Sequence, residues 1–162
     1  MFWLHRLPEP SSQASVVGLD GDNEGAMSFK ILVVEDQLLI ALHIEEAVLA
    51  LGHDVVGIAA NKRDALAFVD KCDVAFVDVQ LQDGPTGPEI GRSLAEHGIS
   101  VVFMTANPEA LADGVTGTLG VISKPLFDLE LIGAIQYATE VHAGGEPIPP
   151  ERLRSFHRRN FG

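Results

Sequence analysis

Along the chain, short and wholly apolar runs alternate with longer segments whose apolar residues recur three or four positions apart. The first run, Ile31-Leu32-Val33-Val34 in KILVVE, reads as a strand buried on both faces. HDVVGIAA, DVAFVDV, ISVVFMT and LGVIS repeat that texture and predict four more strands. Between them the period changes. From Gln37 to Leu51 the spacing places Ile40, Ile44, Ala47, Val48 and Leu51 on one helical face, with Gly52 as the stop. NKRDALAFVD predicts a short helix with Asn61 as N-cap, and PEIGRSLAEHG a helix with Pro88 in its first turn. NPEALADG allows at most two helical turns. LFDLELIGAIQYATEVH predicts the last helix, with Leu131, Ile135 and Ala138 aligned, while QLQDGPTGP is a loop by its Gly and Pro content. Five strands alternating with five helices specify an α/β fold, a parallel sheet covered on both faces by right-handed crossovers.

Charge narrows the function classes. The 162 residues carry a formal net charge of −12 and a pI near 4.7. Residues 28–143 hold a net −11 of this, the first 27 residues −3, and residues 144–162 the opposite sign, +2. Nucleic acid phosphates repel such a body, so the natural complement is a cation or a basic patch on a protein partner. No apolar run approaches the roughly 18 residues that span a bilayer. A single cysteine, Cys72, excludes an intramolecular disulfide and suits a reducing cytoplasm, the expected location. His5, Arg6 and Pro8 break the opening apolar cluster, which excludes a signal peptide and leaves residues 1–27 as a disordered leader. Met27 is an alternative start of translation. The basic tail, residues 144–162, is expected to stay solvated; contact with an acidic partner or folding back onto the acidic domain are the alternatives.

Open parallel sheets bind ligands beyond the carboxyl ends of their strands. There the first strand delivers Glu35 and Asp36, the third Asp78, the fourth Thr105, and the fifth Lys124 followed by Pro125. Two adjacent acids repel each other unless something positive lies between them. Glu35, Asp36 and Asp78 together suit Mg²⁺, which takes oxygen ligands at about 2.0–2.1 Å and keeps several waters. With that ion bound, Asp78 stays ionised and can act as a nucleophile toward phosphorus. Lys124 and the Thr105 hydroxyl can then meet the charge gathering on the phosphoryl oxygens. A cis bond before Pro125 would aim Lys124 inward.

VVEDQ, FVDVQL, FMTAN and SKPL together resemble the receiver domain of two-component response regulators, over roughly Phe29 to His142. The resemblance implies a flavodoxin-like (βα)5 fold with strand order 2-1-3-4-5. It makes Asp78 the phosphoacceptor and Asp36 and Asp78 direct Mg²⁺ ligands, with the Gln80 carbonyl as a third and Glu35 acting through water. Thr105 and Lys124 become the phosphoryl-sensing pair. A histidine kinase or histidine phosphotransfer protein would supply the phosphoryl group, and output would be contact with another, unidentified protein or drainage of a shared kinase. The protein would be a monomer or a phosphorylation-dependent homodimer. VEDQLLIALHIEE, DVQLQDGPTG and FMTANPEAL are similar to the receiver half of PhyR-type general stress response regulators, which carry a sigma-factor-like domain ahead of the receiver. The leader is too short to be that domain, so a stand-alone receiver is expected. Two departures stand out. Val121 replaces the aromatic residue usual three positions before the lysine, and Thr105 and Lys124 are only 19 positions apart. The fourth helix should therefore be short or irregular.

Two other classes share parts of this pattern. A Mg²⁺-dependent phosphohydrolase with an aspartyl intermediate would need an acid two residues after Asp78, where Gln80 stands. A flavodoxin-like cofactor binder would need a Ser/Thr/Gly-rich loop after the first strand, where EDQLL would repel a phosphate. His43 is expected on the surface, Cys72 in a structural role, and His53 and His97 as cations at helix ends.

Overall fold

Each continuous apolar strand serves two cores at once. In the computed structural model, which describes residues 27–156, Ile31 and Val33 of β1 (Lys30–Val34) join one buried cluster, and Leu32 and Val34 join another. The same alternation runs through β3 (Val74–Asp78), where Phe76 faces one cluster and Ala75 and Val77 the other. It recurs in β4 (Ser100–Thr105), with Val102 and Met104 opposed to Val101 and Phe103. The first cluster is closed by α1 (Leu38–Ala50) and α4 (Asp128–His142), the second by α2 (Lys62–Leu66) and α3 (Gly87–Glu96). Burial on both faces is why these strands show no polar alternation.

The sheet has six strands in the order β2-β1-β3-β4-β5-β6, where β2 is Asp54–Ala59, β5 is Gly120–Ser123 and β6 is Leu153–Ser155. The first five are parallel in the expected order 2-1-3-4-5, and β6 runs antiparallel to β5. Helix limits follow the local signals. Gly52 ends α1 at φ +84°, and the Asn61 side chain accepts the Asp64 N–H (2.9 Å) at the start of α2. No helix among the described residues is long and apolar enough to cross a membrane.

The fourth helix is short and irregular as expected, a 3₁₀ turn, Pro108–Leu111, in a span to Lys124 that also contains Gly114 and Gly117, both with positive φ. Two expectations change. His53 is not a cation at a helix end: its Nδ1 accepts the Phe29 N–H (3.2 Å), and burial lowers its pKa. The tail is not solvated through its first half. Residues 144–156 fold back so that β6 completes the sheet, which moves the domain's edge well past residue 143. Charge explains part of this. Arg152 Nη1 donates to both carboxylate oxygens of Glu130 (3.0 and 2.9 Å), and Arg154 reaches Glu109 (3.1 Å). Packing explains the rest: Leu153 is buried in the first cluster, and a Cβ on Gly120 would lie 2.4 Å from the Arg154 carbonyl. The leader and residues 157–162 lie outside the described residues.

His43 is on the surface as expected, its Nε2 2.6 Å from Asp128 and so linking α1 to α4. Cys72 is partly buried, donates to the Phe68 carbonyl (3.4 Å), and has its pKa pushed up to about 12 by burial. If β6 is part of the core, Leu153→Ala should lower the unfolding free energy by about 2–3 kcal/mol in a urea titration. Ile148→Ala, at an exposed position of the same tail, should stay within about 0.5 kcal/mol of the parent.

Candidate phosphoacceptor and metal site

Parallel register brings the ends of β1, β3, β4 and β5 to one edge. Glu35 and Asp36 follow β1 directly, Asp78 ends β3, Thr105 ends β4, and Lys124 follows β5 by one residue. Asp78 pairs with Met104, and Thr105 with Ser123, so the third, fourth and fifth strands stop nearly level. Glu35 is tied to β2 as well, its N–H donating to the Ala59 carbonyl (2.8 Å).

Lys124 occupies the centre. Its Nζ donates to Glu35 Oε2 (2.7 Å) and to Asp78 Oδ2 (3.0 Å). The peptide bond that follows, Lys124–Pro125, is cis. The Glu35 side chain is fully buried, and the side chains of Asp78 and Lys124 are mostly so. The two remaining oxygens are also bonded: Glu35 Oε1 accepts the Gln37 N–H (3.0 Å), and Asp78 Oδ1 the Gln80 N–H (3.3 Å). Burial raises the Glu35 pKa, and the hydrogen bonds from Lys124 and Gln37 offset only part of that. For Lys124, burial acts to lower the pKa, but the bonds to Glu35 and Asp78 outweigh it, and the net shift is upward. Lysine therefore stays charged here through neutral pH.

One carboxylate oxygen from each of Glu35, Asp36 and Asp78 can be chosen so that all lie within 4.8 Å of one another. Asp36 is the more exposed of the three. When ionised, three carboxylates facing one ammonium leave an excess of two negative charges, with hard oxygen donors only. That donor set fits a divalent cation such as Mg²⁺. Gln80 adjoins the site through its N–H to Asp78. Thr105 is buried, and its Oγ1 accepts the Asn107 N–H (3.1 Å), which leaves its own proton free to donate elsewhere.

Gly87 also shapes the site, and its local sequence does not mark it. A Cβ there would fall 2.2 Å from the Asp78 carbonyl oxygen and 2.6 Å from Val79 Cα, so α3 starts directly against the backbone of Asp78. The Gly87 N–H donates to the Val79 carbonyl (3.2 Å) and fixes that contact. In GPTGP this glycine reads as ordinary loop punctuation, and nothing local shows that it meets a strand end.

A family model for the response regulator receiver domain matches residues 31–136. The phyllosphere-induced regulator PhyR of Methylorubrum extorquens is 34% identical over 92 residues, which are 54% of this chain and 34% of that protein. A crystal structure of the PhyR stress response regulator superposes with a TM-score of 0.60 at 31% identity, covering 80% of this chain and 52% of that one. The solution structure of the Erythrobacter litoralis PhyR receiver domain gives 0.61 at 27% identity, covering 76% of this chain and 95% of that domain. The chain thus spans about a third of the curated relative and about half of the PhyR crystal structure.

The central ion pairs make a direct prediction. Lys124→Met in EDTA should destabilise the protein by about 3 kcal/mol, because it leaves the buried Glu35 carboxylate without its cation. Adding Glu35→Gln should recover more than half of that loss, as a double-mutant cycle in urea would show.

Proposed function

The chain belongs to the response regulator receiver domain family, and from that premise we propose that it is a PhyR-like receiver phosphorylated on Asp78 in a Mg²⁺-dependent reaction. The observation that carries this reading is the meeting of Glu35, Asp36, Asp78 and Lys124 at one sheet edge. Glu35, Asp36 and Asp78 would hold the ion, together with the Gln80 carbonyl. Bound there, the ion supplies positive charge to the incoming phosphoryl oxygens and permits two anions to approach each other.

The remaining work belongs to the protein. Lys124, donating to Asp78 Oδ2, holds that carboxylate at the edge of the sheet. An Asp78 carboxylate oxygen attacks phosphorus as the bond to the donor breaks, and the donor leaves with the bonding electron pair. When the phosphoryl group arrives, Lys124 exchanges a carboxylate partner for a phosphoryl oxygen, and the Thr105 hydroxyl turns its free proton toward another. Gly87 holds α3 close behind Asp78, so the carboxylate has a fixed backbone to react from.

A histidine kinase or a histidine phosphotransfer protein in the cytoplasm is the donor in this reading. Output is protein–protein contact, or withdrawal of phosphoryl groups from a kinase shared with another regulator. Its relatives include a stress response regulator and an anti-anti-sigma factor from Bartonella quintana, which supports a place in stress signalling. The reading assigns no substrate turnover to the chain, whose relatives are regulators.

With Mg²⁺ and acetyl phosphate, intact mass spectrometry should record one added phosphoryl group on the parent chain and none on Asp78→Asn. Absence of the adduct from the parent chain would overturn the proposal. Saturating Mg²⁺ alone should raise the thermal midpoint by a few degrees, as a ligand of the native state does. Asp36→Asn should lose most of that rise in a melting curve followed by circular dichroism.

A further inference from the structure

β6 takes no part in the chemistry proposed at Asp78, yet it touches both segments that carry Thr105 and Lys124. Thr105 Oγ1 accepts the Asn107 N–H (3.1 Å), and the Asn107 carbonyl accepts the Ala110 N–H (3.2 Å), which closes the 3₁₀ turn Pro108–Leu111. Arg154 donates to Glu109 Oε1 (3.1 Å) and to the Pro108 carbonyl. These guanidinium bonds therefore both end on a turn that begins at Asn107. The Arg154 backbone pairs with Val121 in β5, three residues ahead of Lys124.

The same guanidinium is not fully satisfied. Its Nε is buried with no hydrogen-bond partner among the described residues. A buried donor without an acceptor costs stability, so the guanidinium is held by the turn at some cost. Phe156 adds to the shared surface. Its ring lies 6.5 Å from that of Phe103, and a Cβ on Gly114 would come within 3.3 Å of it. Its N–H donates to the Leu119 carbonyl (2.9 Å). The turn, β5 and β6 are thus packed as one unit, and the turn is tied to the hydroxyl of Thr105.

We infer that β6 reads the state of Asp78, with Arg154 coupling the Thr105 turn to the strand, so that occupation of Asp78 loosens β6 from β5. This rests on the phosphoacceptor reading above. A phosphoryl group on Asp78 draws the Thr105 hydroxyl, whose present partner is the Asn107 N–H. Moving that hydroxyl moves Asn107 and the turn it opens, and both acceptors of Arg154 move with it. The β5–β6 ladder is only three residue pairs long, and the two Arg154 bonds are the contacts of β6 that end on this turn. Val121 carries no ring that could swing between states, and the guanidinium across the strand pair provides the link instead. Arg152 stays on Glu130 of α4, which confines the release to the segment from Leu153 onward. What is uncovered is the edge of β5, where Gly120 leaves room for another backbone.

The test follows the Phe156 amide by hydrogen exchange with Mg²⁺ present, with and without beryllofluoride, which stands in for the phosphoryl group. Fluorine NMR reports its binding independently. Exchange at Phe156 should rise at least about fivefold when beryllofluoride is bound. Arg154→Ala should show the faster exchange without beryllofluoride and bind it about fivefold more tightly, since coupling is reciprocal. A merely structural Arg154 would leave that affinity unchanged. Bound beryllofluoride with unaltered or slower Phe156 exchange, or parental affinity in Arg154→Ala, overturns this inference and leaves the phosphoacceptor reading intact. If the parent chain binds no beryllofluoride, both fall.

Discussion

A single ammonium makes the acidic edge of this sheet possible. Lys124 stands between Glu35 and Asp78, and without it two buried carboxylates would face each other across a strand spacing. Coulomb repulsion between such groups grows as water is excluded, and burial already drives the Glu35 pKa upward. Lys124 reverses the sign of the central interaction and ties the end of β5 to the ends of β1 and β3. The compensation is partial, because Asp36 adds a third carboxylate beside the pair. Lys124 thus balances part of the edge's charge, and the three carboxylates leave a negative excess whose oxygen donors suit a divalent cation.

Much of this was legible in the chain. Apolar runs such as ILVV and VAFV announced buried strands, and the residues after each run named the carboxylates, the hydroxyl and the ammonium. What topology adds is distance: only the parallel register turns residues 35, 78 and 124 into neighbours. Periodicity could not separate a 3₁₀ turn from a short helix at Pro108–Leu111, since both bring residues three apart to one side. Nor could it see Gly87 or Gly120, whose importance lies in strands distant in sequence that occupy the space of a missing Cβ.

The tail shows a different limit. Its composition, with Gly, Pro and several arginines, has the texture of a solvated segment. Composition carries no information about complementarity, and here the acidic surface that the arginines need belongs to the same molecule. Glu130 on α4 and Glu109 in the 3₁₀ turn receive Arg152 and Arg154, and Leu153 fills a space in the first core. The histidines follow the same logic. His53 sits beside a glycine at a helix end, as a cation would, but the Phe29 N–H points at its ring nitrogen and favours the neutral form.

With β6 laid along one margin of the sheet, the opposite margin, β2, is a strand with one side unpaired. Exposed strand margins invite accretion of further chains into fibrils. This one begins with the exposed charge of Asp54 and is irregular, for its pairing with β1 slips by one residue between Ile31 and Leu32. Gly57 in its middle offers no side chain to a newcomer, and its vacant side is taken by the ring of Phe68. A crooked margin that opens on a charge is a poor template for a further strand.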